Sequence, residues 1–407
     1  MISVRQSAFT IALGLALLGQ AGSAHAQDLK LGAVNPSSGA LALYGDEVTR
    51  GYELAADWVN GRGGVLGKKV AIVRGNASSP QEGIAAVEQF VARDKVDALI
   101  GTYISAVANA ASEAALNYDK LYWDTNALAA ELTERGLPNY IRSGPYAAAF
   151  AQGSVNLITD LVARSLGKAP KDLKIWIEHE DSIYGTSIAK EQERLLKDAG
   201  AQVADVGAHS FRAIDLTDSI LRAKNAAPDV WITTGYIPDS NLLLRTARDQ
   251  GFKPAAMITV GTGDTCETLD SLGKDSLEGV LVVSYPRYDT NPKFGPGAED
   301  YLKAYRAKYR KDPIAPQSMA AFVGAKILFK ALQAAGSAKY DAVRDAAAKL
   351  DEPVGTYETG FGVKFNDKMQ NTRAMPVGAQ WQDGKMVTVF PAEAVPVGAK
   401  LVALARK

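Results

Sequence analysis

Six stretches of the chain bring hydroxyl, carboxyl and aromatic side chains together beside a glycine or a helix start. They are Ser37-Ser38-Gly39 with Tyr44-Gly45-Asp46, Gly101-Thr102-Tyr103-Ile104-Ser105, Asp124-Thr125-Asn126-Ala127, Tyr184-Gly185-Thr186, Thr234-Gly235-Tyr236 and Thr262-Gly263-Asp264. Free backbone N–H groups at a helix N-terminus, joined by a Ser or Thr hydroxyl, hold a carboxylate or another small anion. Taken singly, each stretch reads first as a helix cap beside a packed aromatic. Six of them at strand ends favour one shared cleft.

Other chemistries are poorly served. There is no G-x-S-x-G, no H-E-x-x-H and no P-loop. Gly261-Thr262-Gly263-Asp264-Thr265-Cys266 follows a strand but lacks the third glycine of a dinucleotide fingerprint. His179, in Glu178-His179-Glu180, reads as a polar strand-end residue, because no nucleophile is linked to it by a motif. His179 and His209 are the only histidines after residue 26, and Cys266 is the only cysteine. No intrachain disulfide is possible, and a His/Cys zinc cage is nearly excluded. The thiol is expected to be a buried packing residue. The 45 basic residues balance 45 acidic ones, which removes the broad attraction that non-specific nucleic-acid binding needs. No cofactor and no metal site are expected.

These stretches are positioned by alternating strands and helices. Leu29–Val34, Val70–Val73, Ala98–Ile100 and Leu121–Trp123 are short apolar runs that read as strands, separated by amphipathic helical patterns such as Val48, Tyr52, Ala55 and Val59. The alternation restarts after Gly144-Pro145 with helix Ala147–Leu166. Strands follow at Lys174–Ile177, Val203–Val206, Val230–Thr233 and Met257–Val260, with helices Thr186–Asp198, Leu216–Lys224 and Ser240–Gln250 between them. Such spacing means βαβ crossovers and parallel sheets covered on both faces. Ligands bind outside the carboxyl ends of strands in open α/β sheets, where the six stretches lie. Gly279–Val283 adds a strand. Helices at Ala298–Tyr309, Gln317–Ala334 and Tyr340–Lys349 follow it. The chain ends in strands Gly362–Phe365, Val377–Gln380 and Met386–Phe390, the last two joined at Asp383-Gly384, a hairpin signal. Joints at Ser143-Gly144-Pro145, Ser284-Tyr285-Pro286 and Gly355–Gly362 predict a chain that crosses three times between two lobes. One lobe is expected to hold residues 27–143 and 286–355, the other 144–285 and 356–407.

The N-terminus carries Arg5, an apolar run Ala8–Leu18 and the small-residue site Ala24-His25-Ala26, the three parts of a secretory signal peptide over residues 1–26. The run is too short to span a membrane, and no cysteine follows it to carry a lipid. An exported, unanchored protein in the periplasm is expected.

The chain resembles the periplasmic leucine/isoleucine/valine-binding proteins, the solute-binding components of ABC importers. The resemblance is carried by Leu31-Gly32-Ala33, Ser38-Gly39, Tyr44-Gly45-Asp46, the run Asn60 to Lys68, Ile100-Gly101 with Ser105, Glu131-Leu132-Thr133 with Arg142, Tyr184-Gly185 and Gly279 to Val282. It implies the two-lobed type I periplasmic-binding fold, α/β, with a mostly parallel sheet in each lobe and three inter-lobe crossings. It implies no catalysis, a small-molecule ligand, an inner-membrane ABC permease as partner, and a monomer. A serine at the position of Ser105 holds the ligand carboxylate in that family, and tyrosines at Tyr44, Tyr184 and Tyr236 line the cleft. Asn126-Ala127-Leu128 stands where branched-chain amino-acid binders have Ala-Ala-Thr, and their ammonium-binding glutamate is missing. Asp264 and Asp124 are the candidates to replace it. Two readings are therefore kept: a branched-chain amino-acid type ligand, or an aromatic acid, short amide or urea. A ligand sensor built on the same fold is a further alternative.

Overall fold

The computed structural model describes residues 28–404. The expected signal peptide lies outside them. The first sheet contains β1 (Leu29–Val34), β2 (Val70–Arg74), β3 (Ala98–Gly101), β4 (Tyr122–Asp124) and β5 (Tyr140–Arg142), in the order β2-β1-β3-β4-β5 and parallel throughout. The second contains β6 (Lys174–Glu180), β7 (Gln202–His209), β8 (Val230–Thr234), β9 (Ala256–Val260) and β10 (Leu281–Ser284), parallel in the order β7-β6-β8-β9-β10. All of β3 and β8 is buried, as expected of strands covered by helices on both faces. A two-stranded ribbon, β11 (Asp351–Glu352) with β12 (Val363–Lys364), stands apart from both sheets. The antiparallel pair β13 (Val377–Gln382) and β14 (Lys385–Phe390) extends the second sheet at its β10 edge. Asp383 and Gly384 join them, both with positive φ (47° and 73°), as the two-residue hairpin turn requires.

The chain crosses between the sheets three times. The chain leaves the first sheet after β5 and the second sheet's parallel strands after β10. The third does not fall at Gly355. Phe365 packs edge-on against Trp123 of β4, with ring centroids 5.8 Å apart. The Asn371 N–H donates to the Arg142 carbonyl at 2.9 Å, and Asn371 Nδ2 donates to the Ser143 carbonyl at 2.9 Å. The segment stays with the first lobe through Asn371, and the crossing lies just before β13. Helix Gln317–Ala335 is apolar and long enough to span a membrane, yet 72% of its apolar window is buried in the protein. It packs on helix Ala42–Asn60 as a core element of the first lobe.

Four local readings are corrected. Strand β5 was not read in the sequence. Helix Ile183–Asp198 begins three residues earlier than expected, with Ser182 Oγ accepting from the Tyr184 N–H, so Tyr184 lies in its first turn. Helix Ile237–Asp249 likewise begins directly after Tyr236. Cys266 is exposed rather than buried, since it opens the short helix Cys266–Leu272 at the surface.

Candidate functional site: a tyrosine-lined cleft

The turns after β3 and β4 build the first-lobe wall. Helix Ser105–Leu116 has Ile104 as its N-cap, which offers no side-chain acceptor to the first N–H groups. Ser105 is its first residue and is buried. Its Oγ accepts from the N–H groups of Leu128 and Ala129, each at 3.2 Å. Both oxygen lone pairs are thereby used, and the hydroxyl proton remains to be donated. The facing turn is locked from below. Asp124 Oδ1 accepts from the N–H groups of Asn126 (3.0 Å) and Ala127 (2.9 Å). Arg142, fully buried, donates to the carbonyls of Ala127 (3.0 Å) and Ala129 (2.8 Å). Burial pushes the Asp124 carboxyl up to about 7, against the two N–H donors and the nearby Arg142 charge.

The second-lobe wall is aromatic. The Tyr184 hydroxyl donates to the Val260 carbonyl at 3.1 Å. Gly261, with φ of +73°, lets the chain pass the Tyr184 ring, since a Cβ there would stand 2.1 Å from the Tyr184 hydroxyl. Tyr184 and Tyr236 have ring centroids 5.1 Å apart, and Tyr236 meets Tyr103 of the first lobe at 5.9 Å. Tyr44 stacks on Tyr103 at 4.7 Å. Burial raises the hydroxyls of Tyr103, Tyr184 and Tyr236 well above the ordinary tyrosine range, so all three stay protonated.

Tyr103, Asn126 and Leu128 on one side, and Tyr184, Tyr236, Gly261 and Tyr285 on the other, close around a narrow cavity of about 10 Å³. Hydrogen bonds cross the cleft around it. The Tyr44 hydroxyl donates to Asp264 Oδ1 at 3.0 Å, and Ser284 on β10 donates to Asp264 Oδ2 at 2.5 Å. The Tyr285 hydroxyl donates to the Asn126 carbonyl at 2.6 Å.

Of the residues singled out in the sequence, Asn126, Tyr184 and Tyr236 line the cavity. Tyr44, Ser105 and Asp264 stand directly behind or beside its walls through the contacts above. Asp124 and Ala127 do not reach it. The Asp124 carboxylate is turned under the Asn126–Ala127 turn, and the N–H and carbonyl of Ala127 are taken by Asp124 and Arg142. Sequence reasoning missed Tyr103, Leu128, Gly261 and Tyr285 as wall residues. Tyr103 shares the post-strand turn that marked Ser105, and that signal was available. Tyr285 was read only as part of a joint.

A family model described as periplasmic binding protein matches residues 28–385. The chain belongs to the periplasmic binding protein family. Among its relatives, this family member is 38% identical over 382 residues to Leu/Ile/Val-binding protein homolog 7 of Brucella suis biovar 1 (strain 1330), covering 94% of this chain and 96% of the relative. Two solved structures share the fold. The branched-chain amino acid transporter substrate binding protein LivJ of Streptococcus pneumoniae, in complex with isoleucine, has a TM-score of 0.74 and 20% identity, covering 89% of this chain and 100% of that one. A solute binding protein of an ABC transporter from Rhodopseudomonas palustris HaA2, in complex with p-hydroxybenzoic acid, has a TM-score of 0.76 and 20% identity, covering 89% and 95%. The expected type I periplasmic-binding fold is thereby confirmed.

Proposed function

We propose that this periplasmic binding protein captures a small carboxylate-bearing ligand of the branched-chain amino-acid type and delivers it to an ABC permease of the inner membrane. In this reading it is an exported monomer that performs no chemistry. The observation that carries the ligand class is at the start of helix Ser105–Leu116. An uncapped helix N-terminus stands beside a serine whose oxygen is saturated and whose proton is unspent, an arrangement that suits a carboxylate. Asp264 is the acid for the ammonium end. It accepts one hydrogen bond on each oxygen, from Tyr44 and Ser284, and a carboxylate oxygen takes two. The 38%-identical relative named as a Leu/Ile/Val-binding protein homolog supports this ligand type.

A second reading is favoured by the walls themselves. Four tyrosine rings border the cavity, and Asp124 is not among its lining residues. An aromatic acid with no amine fits such walls, and one neighbour of the same fold holds p-hydroxybenzoic acid. Titration calorimetry with isoleucine and with 4-hydroxybenzoate separates the two. Isoleucine binding that weakens at least tenfold in Asp264→Asn supports the amino-acid reading. Tight 4-hydroxybenzoate binding with no isoleucine heat replaces it. Binding of neither excludes both ligand classes represented by these probes.

A further inference from the structure

Behind the second-lobe tyrosines lies a buried charged chain that touches no part of the cavity. His209, at the end of β7, sits between two carboxylates. Its Nδ1 is 3.0 Å from Glu178 Oε1 of β6, and its Nε2 is 3.1 Å from Asp239 Oδ2, in the first turn of helix Ile237–Asp249. An ionised carboxylate only accepts hydrogen bonds, and a neutral imidazole donates from one nitrogen alone. With both carboxylates ionised, both contacts are satisfied together only when both ring nitrogens carry a proton. The outer oxygens are also engaged. Glu178 Oε2 accepts from Trp176 Nε1 at 3.1 Å, and Asp239 Oδ1 accepts from the Tyr236 N–H at 3.0 Å.

The backbone is shaped around these carboxylates. Gly207 opposes Glu178 in the β6–β7 pairing, and a Cβ on it would stand 2.4 Å from Glu178 Oε2. A Cβ on Gly235 would stand 2.1 Å from Asp239 Oδ2. The Gly235-Tyr236 pair thus joins an absent side chain, which admits the acid, to the ring that faces the cleft. Glu180, two residues further along β6, adds a third buried carboxylate, held by Ser182 and by the Gly185 N–H.

We propose that His209 is a positioning residue: an imidazolium clamped between Glu178 and Asp239 that fixes the Gly235–Tyr236 turn and so sets the Tyr236 ring against the cavity. Burial alone would push His209 down. The hydrogen bonds to Asp239 and Glu178, with their charges, outweigh it and lift His209 to about 9. Burial pushes the Asp239 carboxyl up, with His209 opposing. Asp239 acts on Glu180 as a like charge, and the acids that touch the ring are Glu178 and Asp239 themselves. The clamp is therefore held at neutral pH and released as the pH rises through about 9.

This inference rests on the cleft described above but is tested without a ligand. Nitrogen NMR of the His209 ring in the wild-type protein should show both nitrogens protonated at pH 7, with a midpoint near 9. Hydrogen exchange at the Tyr236 amide, corrected for intrinsic rate, should rise at least tenfold in His209→Gln at pH 7. It should rise likewise in the wild type above pH 9. Gly235→Ala displaces Asp239 without removing charge, and it should loosen the same amide even where His209→Gln does not fold. A ring protonated on one nitrogen at pH 7 overturns the proposal, as does wild-type exchange at Tyr236 in either folded variant. Isoleucine and 4-hydroxybenzoate titrations run alongside. If the wild type binds neither, the ligand reading fails while the exchange data still decide the clamp.

Discussion

The two walls of the cleft are made by opposite means. On the first lobe the charged groups, Asp124 and Arg142, point into the Asn126–Ala129 turn and saturate its backbone, and the cavity receives a neutral face. On the second lobe the charged groups stand behind the rings, with His209 between Glu178 and Asp239 at the back of Tyr236. A turn whose buried donors and acceptors are all paired cannot rearrange without leaving one unpaired. The first wall is thus preset for the polar end of a ligand. The second is an aromatic surface carried by its sheet, which in the proposed reading moves as a body when the lobes close. In the proposed reading, docking belongs to the first wall and exclusion of water to the second.

The largest effect should come from breaking the lock under the first wall. Arg142→Met keeps much of the bulk and removes every donor. The carbonyls of Ala127 and Ala129 and the Gln370 side chain would then be buried with fewer partners. A loss on the order of 3 kcal/mol or more in chemical denaturation is expected, because each orphaned buried acceptor costs ~1–3 kcal/mol. A loss under ~1 kcal/mol would mean that the turn holds itself, and the contrast between the walls would go. Ser105→Ala is next. It removes the donor proposed for the ligand carboxylate, so calorimetry with whichever probe binds should show ~1.5–3 kcal/mol less affinity, typical of a hydrogen bond to a charged group. Unchanged affinity would move the anion site elsewhere.

The alternation of short apolar runs with helical patterns was enough to read the two parallel sheets, because strands covered on both faces are continuous apolar segments. Tyr140–Arg142 escaped because a three-residue strand ending in arginine has no such run. Its Arg142 is buried only because the turn beyond β4 supplies carbonyls from elsewhere in the chain. The third crossing was misplaced for a related reason. The glycines near 355 look like a joint, but Phe365 and Asn371 are tied to the first lobe by Trp123, Arg142 and Ser143, partners more than two hundred residues away. In the site, residue type at a strand end located Asn126, Tyr184 and Tyr236. It did not distinguish Asp264, which meets Tyr44 across the cleft, from Asp124, which turns inward. That choice depends on where side chains point after closure, and strand-end position carries no such information.

A smaller effect probes the contact between the walls. Tyr44→Phe removes the hydroxyl that joins helix Ala42–Asn60 to Asp264. The contact is buried, but Asp264 keeps its bond from Ser284, so the loss is set at about 1 kcal/mol, below the ~1.5–3 kcal/mol of a lone bond to a charged group. Affinity for the bound probe should fall by roughly fivefold, and small-angle scattering of the free protein should show a larger radius of gyration. An unchanged radius and affinity would mean that ring stacking alone holds the walls together.

The smallest effect is the most useful for following closure. Cys266 is exposed at the start of a surface helix, two residues beyond Asp264, and it is the only cysteine of the chain. Cys266→Ser changes one exposed side chain and should alter stability by no more than ~0.5 kcal/mol. In the otherwise unaltered protein the thiol should accept a polarity-sensitive fluorophore without denaturant. Asp264 meets the first lobe through the cross-cleft contact with Tyr44 and through Arg287, which donates to its carbonyl at 3.5 Å, so a dye beside it should change emission when the probe ligand closes the cleft. The same dye in Tyr44→Phe should start from a more open baseline and show a larger change. Silence of the label, with binding confirmed by calorimetry, would show that this edge of the second wall does not move relative to the first. The division between a docking wall and a closing wall would then fail at Asp264 while leaving Tyr184 and Tyr236 to be tested by dissociation rates.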